Sequence, residues 1–221
     1  MKRSEINEYI RTARQFFEAH RFFLPLWADW SPEVWAGKGK ECAEIVRNQL
    51  GWDVTDFGGS DFRKEGLTLF TVRNGNALRD RKVYCEKIMF VQKMQVTPIH
   101  FHWKKMEDII NRGGGMLCMK LWKADGEERQ SSEECTVKID GIATRIAAGE
   151  VLRLRPGQSI TFEPRMYHTF WAEEGDCMVG EVSAVNDDAA DNRFLEEQNR
   201  FPRIDEDEPA AFCLCNEYPV L

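Results

Sequence analysis

Apolar residues in the first twenty positions recur at helical spacing. Ile6, Tyr9, Ile10, Ala13, Phe16 and Phe17 fall on one face, so an amphipathic helix is predicted from an N-cap at Ser4 to about His20. His20 then sits at a helix end, as a capping or surface residue. From Leu24 to Trp35 two prolines break the pattern and three tryptophans, Trp27, Trp30 and Trp35, crowd together, as in a core or a subunit contact. Lys40 to Leu50 reads as a second short helix stopped by Gly51. From about residue 52 the period shortens to that of strands. Candidates are Thr68–Val72, ending at a hairpin-type Asn74-Gly75, then Val83–Val91, Met116–Trp122, Val137–Ile146 folded back at Asp140-Gly141, Val151–Arg155, Ser159–Phe162, His168–Trp171 and Met178–Ser183. Turn signals every eight to twelve residues predict a sandwich or barrel. After Val185 the alternation fails. Asn186–Asp188 and Asp191–Phe194 lead into a polar helical piece ending near Arg200, Asp205–Glu208 reads as a solvated acidic turn, and the tail from Ala211 to Leu221 as apolar enough to dock. The expectation is one mainly β domain over 1–221, with a helical decoration at 1–51, a barrel at 52–185 and an extension at 186–221.

Composition narrows the partners. The chain has 221 residues, 43% of them hydrophobic, enough for a real core. A formal charge of -7, with no basic stripe, argues against nucleic acid, which needs clustered Lys and Arg. The first residues lack a signal-peptide core, and no apolar run reaches the length of a membrane helix, so no membrane partner is expected. Seven cysteines, with no Cys-x-x-Cys pair, give neither a disulfide framework nor structural zinc and suit a reducing cytoplasm.

The chemistry gathers in Pro98–Gly115. His100 and His102 alternate with Ile99, Phe101 and Trp103, so on a strand both imidazoles share one face, and Glu107 follows. Two imidazoles and a carboxylate suit a borderline divalent metal. Of the four histidines, the one left in strand territory is His168. Three imidazoles and a carboxylate leave a six-coordinate ion two open positions, a catalytic rather than a structural arrangement.

These residues resemble the cupin family. His100-x-His102, Glu107 and Gly114 look like its first motif, and Gly149, Pro156-Gly157, Pro164 and His168 like its second. The second motif departs from the common form, with Arg165 and Met166 where a glycine is usual. The resemblance implies a cupin-type β-barrel, or jelly roll, with His100, His102, Glu107 and His168 as metal ligands. A closer likeness lies in His-Phe-His-Trp-Lys-Lys-Met-Glu-Asp-Ile-Ile-Asn-Arg-Gly-Gly-Gly, Gly-Glu-Val-Ser-Ala-Val-Asn-Asp-Asp and Asp-Asn-Arg-Phe, which are similar to the D-lyxose ketol-isomerases. That family implies a manganese-dependent aldose–ketose isomerase, usually a homodimer, acting on D-lyxose, D-xylulose, D-mannose and D-fructose. Zinc, cobalt or iron would fit the same donors.

An aldose–ketose exchange moves one proton between C1 and C2 and another between their oxygens, through an enediolate that a divalent ion stabilises. Lys105, between His102 and Glu107, is the first proton carrier expected; a nearby cation and partial burial would lower its pKa. Glu181 is the second. It stands in an apolar strand on the face of Val179 and Ser183, where a carboxylate is costly unless used. Lys87, Asp188 and Arg193 are candidates for sugar hydroxyls, and Trp103 for the sugar ring. The competing readings are a metal-dependent cupin oxygenase, for which Lys105 and Glu181 have no task, and a sugar-sensing cupin without chemistry.

Overall fold

The computed structural model describes residues 1–76 and 78–219. Helix α1 (Arg3–Ala19) is followed by the short helices α2 (Pro32–Ala36) and α3 (Ala43–Arg47), the last preceded by a 3-10 turn at Lys40–Cys42. Eleven strands follow among the described residues: β1 (Gly51–Thr55), β2 (Leu67–Asn74), β3 (Tyr84–Val91), β4 (His100–Phe101), β5 (Glu107–Lys123), β6 (Cys135–Ile139), β7 (Ile142–Ile146), β8 (Leu152–Leu154), β9 (Ser159–Phe162), β10 (Met166–Ala184) and β11 (Arg193–Phe194). They form an antiparallel sheet in the order β1-β2-β3-β10-β5-β9-β6-β7, with β8 on β5, β4 on β10 and β11 on β4.

The two long strands carry the curvature. Met116–Trp122 is the far half of β5, and His168–Trp171 and Met178–Ser183 are two parts of β10, each pair of segments joined without a turn. Their register shifts between the Glu173–Met116 and Cys177–Gly114 pairs, a bulge that bends both strands and lets each serve two walls. Gly114 makes this possible. Its φ is +92°, and a Cβ there would lie 2.1 Å from the Asp176 carbonyl oxygen.

Two apolar layers share the wall strands. Leu69, Met89, Ile109, Leu121, Phe170 and Val179 point into the barrel. Outside, Ile6, Ile10, Ala13 and Phe17 of α1 close over Trp52, Phe70, Ile88, Phe90 and Met178. β3 is therefore covered on both faces, which explains its nearly continuous apolar run. Full burial of Phe17 or Ile10 is worth about 1.5–3 kcal/mol each. Trp27, Trp30 and Trp35 pack around one another and against Tyr218 and Cys213, so they build a satellite core under the tail. Of the predicted tail, Val220 and Leu221 lie outside the described residues. No described helix is long and apolar enough to cross a membrane.

Several expectations are corrected. α1 starts at Arg3, with Glu5 accepting from the Lys2 amide, and Ser4 lies within its first turn. The acidic run is not merely solvated. Asp207 accepts from the Ser4 amide and hydroxyl, Glu206 pairs with Arg3, and Glu208 accepts from Asn7, placing negative charge at the positive end of α1. Asn74-Gly75 makes no two-residue turn, since pairing runs on to Gly75 N and Tyr84 O. Asp140-Gly141 does, with positive φ at both residues. Asp191 to Arg200 is not helical. Its polar groups bond to distant parts of the chain, Asp191 to the β4–β5 connection and Arg200 to Asp53 and Asp188, and Arg193–Phe194 pairs with β4.

Candidate active site

β4 and β10 lie side by side with His168 directly opposite His100, and His102 follows on the connection to β5. The ligand atoms of the three imidazoles lie within 4.8 Å of one another. Each ring gives its Nδ1–H to a backbone carbonyl: His100 to Pro98 at 2.8 Å, His102 to Asp191 at 2.9 Å and His168 to Met166 at 3.0 Å. That arrangement holds the tautomer whose Nε2 lone pair is free, as metal-binding imidazoles require. Burial, with the facing His168 and His102, pushes His100 well below its ordinary pKa, and burial pulls His168 down to about 4 against the attraction of Glu107. Both rings are neutral at physiological pH.

Glu107 opens β5 and is 2% exposed. Its Oε1 stands 3.4 Å from Nε2 of both His102 and His168 and has no hydrogen-bond partner. A buried, unpartnered carboxylate oxygen facing imidazole lone pairs is a costly arrangement without a cation. The donor set therefore fits a divalent metal ion, and the cluster His100, His102 and His168 could hold one.

A second cluster adjoins this one. Lys105 Nζ lies 2.7 Å from Glu107 Oε2 and 2.8 Å from Glu181 Oε1, fully enclosed. Lys87, the cross-strand partner of Glu181, places its Nζ 3.4 Å from the same oxygen and donates to Asn186 Oδ1 at 2.7 Å. Ser183 Oγ donates to Glu181 Oε1 at 3.1 Å. The strand alternation puts Glu181, Val179 and Ser183 inside and leaves Val182 42% exposed. Burial would raise the Glu181 carboxyl, but Lys105 and Lys87 outweigh it and hold it low. For Lys105 the expected direction is reversed. Burial does work to lower it, yet the contacting Glu107 and Glu181 carboxylates overcome that and raise it, so it is an ammonium.

Lys87, Lys105, Glu181 and Asp188 line one cavity together with the three imidazoles and Glu107. Trp103 and Arg193 do not line it. Trp103 Nε1 donates to Glu128 Oε1 at 2.8 Å, and Arg193 Nε lies 3.3 Å from Glu128 Oε2, so both turn away toward the β5–β6 connection. Phe57, Phe194, Asn192 and Arg200, none of them singled out by the sequence pattern, also line the cavity. Arg200 reaches Asp53 and, at 3.1 Å, Asp188, and its Nη1 is buried without a partner. No periodic signal marked it, because it comes from a segment without regular structure.

Fold and centre define the class, a cupin-type β-barrel carrying three imidazoles that could hold a metal ion beside a buried lysine–carboxylate cluster. Two relatives add the chemistry. The chain is 53% identical over 223 residues to a D-lyxose/D-mannose isomerase of Escherichia coli O157:H7, covering 99% of this chain and 98% of that protein. It is 48% identical to a D-lyxose/D-mannose isomerase of Serratia proteamaculans over the same shares. The L-ribose isomerase of Cellulomonas parahominis has the same fold, with a TM-score of 0.62 at 16% identity over 93% of this chain and 98% of that one. The protein is thus a sugar isomerase, interconverting an aldose and a ketose. A family model described as D-lyxose isomerase matches residues 1–218, and the chain belongs to that family.

Proposed function

We propose that this enzyme interconverts D-lyxose with D-xylulose, and D-mannose with D-fructose, using one divalent metal ion, Mn2+ before Zn2+, Co2+ or Fe2+. The observation that carries the reading is the unpartnered Glu107 Oε1 facing His102 and His168, with the Lys105–Glu181 pair touching the same carboxylate. His100, His102, Glu107 and His168 would hold the ion, which when bound supplies a Lewis acid for the sugar carbonyl.

The remaining work falls to this chain's own groups. Glu181, kept ionised by Lys105 and Lys87, is the base that takes the proton from C2 and returns it to C1. Lys105, kept protonated between two carboxylates, gives a proton to O1 and recovers one from O2, so no net proton is gained or lost. The intervening enediolate is stabilised by the same ammonium. Lys87, Asp188 and the unpartnered Nη1 of Arg200 bind the remaining hydroxyls, and Phe57 and Phe194 shield the ring from water.

The chain works as one unit, with 1–51 and 186–221 decorating the barrel of 52–185. All seven cysteines are free, which suits a reducing cytoplasm. The exposed Tyr84 and Val182 on β3 and β10 offer an apolar face to a second copy in a homodimer. The test is anaerobic incubation of the Mn2+-loaded protein with D-lyxose while D-xylulose is assayed. Turnover without oxygen is expected. Activity appearing only with iron and air would replace the isomerase with an oxygenase.

A further inference from the structure

His102 and Lys105 are the metal-facing and proton-carrying groups of a five-residue connection, from the end of β4 at Phe101 to the start of β5 at Glu107, that has no regular structure. Something must fix it. The His102 carbonyl accepts from Arg165 N at 2.8 Å, and three further bonds converge on a single residue of the C-terminal extension. Asp191 takes the Lys104 amide on Oδ1 and the Lys105 amide on Oδ2, both at 2.9 Å, and its own carbonyl takes His102 Nδ1 at 2.9 Å. The residue is 6% exposed, and its carboxylate pairs with no cation among the described residues. A buried carboxylate is retained only where its hydrogen bonds repay desolvation. Here those bonds go wholly to the backbone that carries Lys105.

We propose that Asp191 is a positioning residue which sets the His102 ring and the Lys105 ammonium against Glu107 in one step. The proposal rests on the functional reading above for its effect on turnover, and on the geometry alone for its effect on the metal site. By its carbonyl Asp191 fixes the tautomer and tilt of His102. By its carboxylate it fixes the backbone from which Lys105 spans Glu107 and Glu181. The extension and the barrel thus meet at the catalytic groups, and a change in the one is felt by both ligand and acid.

The test compares Asp191→Ala, Asp191→Asn and the unaltered protein by three measurements: titration of the metal-stripped protein with Mn2+, imidazole 15N resonances, and steady-state kinetics with D-lyxose. Loss of such an outer partner weakens metal binding about 10- to 100-fold. Asp191→Ala keeps the backbone carbonyl but no longer ties it to the connection through the two amides, so it should show that loss, a His102 no longer held wholly in its Nδ1–H tautomer, and a kcat lowered about 10- to 100-fold with KM changed less than about 3-fold. Asp191→Asn keeps the same carbonyl and, unlike Asp191→Ala, one side-chain acceptor. It should retain the tautomer and bring Mn2+ affinity back to within about 5-fold. Wild-type Mn2+ affinity and tautomer in Asp191→Ala overturn the proposal, as does an Asp191→Asn no better than Asp191→Ala. Should Asp191→Ala fail to fold, Asp191→Asn decides by itself: Mn2+ affinity and kcat each lowered about 2- to 5-fold support the proposal, and values equal to the unaltered protein's overturn it. If the unaltered protein turns over no sugar, the functional reading fails while the Mn2+ and 15N measurements still judge Asp191.

Discussion

Replacing Lys105 with methionine (Lys105→Met) keeps most of the side-chain volume and removes one enclosed charge. That charge lies 2.7 Å from Glu107 and 2.8 Å from Glu181. At an effective dielectric near 20 each contact has a gross attraction of about 6 kcal/mol. Most of it only offsets the cost of taking three charges out of water. What the variant loses is set by the stranded carboxylates: Lys87, at 3.4 Å, still serves Glu181, but Glu107 keeps no ammonium. Breaking a buried pair in this way costs about 3–5 kcal/mol. A divalent ion beside Glu107 would supply the missing positive charge, so the loss should appear in metal-free protein and shrink on loading. Urea denaturation of EDTA-treated protein, with and without Mn2+, measures both quantities. We expect the metal-free variant to be destabilised by about 3–5 kcal/mol, its gain on Mn2+ addition to exceed the unaltered protein's, and its turnover to fall about 10²- to 10⁴-fold. A variant that loses Mn2+ binding, or that keeps turnover within about threefold, would refute the reasoning.

Three further outcomes follow. Glu181→Gln is nearly isosteric and removes the base, so kcat should drop about 10²- to 10⁴-fold in a sugar conversion assay while Mn2+ stoichiometry stays at one per chain. Protonation of the buried imidazoles makes the metal-free fold acid-sensitive. With His168 lowered from 6.5 to about 4, the folded state binds fewer protons than the unfolded one between those values, so stability falls as pH drops through that window, by about 3 kcal/mol from this group; thermal melts at stepped pH read the slope. Trp103→Phe removes the bond to Glu128 outside the cavity, costing about 1 kcal/mol of stability with KM for D-lyxose unchanged.

How far the sequence carried is clear from particular residues. The alternation around His100 and His102 declared a shared face, and the scarcity of histidine pointed to His168, because a barrel wall repeats every second residue. Glu181 was legible for the same reason: a carboxylate among Val179, Gly180 and Val182 needs a task. The protonation of Lys105 was not legible, since it depends on two carboxylates, one brought by β10 from 76 residues away. Asp191 and Arg200 escaped for a related cause. They lie where no period exists, and a polar stretch looks the same whether its groups meet water or distant strands. Trp103 was drawn toward the site by its place in the chain, whereas its indole goes to Glu128, a partner 25 residues on. The acidic run at Asp205–Glu208 likewise looked solvated until α1 was set against it.

The central claim is that three imidazoles and Glu107 hold one ion at the barrel mouth. X-ray absorption at the manganese edge of the loaded protein addresses it most directly, with His168→Ala as comparison. The account predicts three imidazole scatterers among first neighbours at about 2 Å, falling to two in the variant. Fewer than three in the unaltered protein at one manganese per chain, or a spectrum that His168→Ala leaves unchanged, would contradict it.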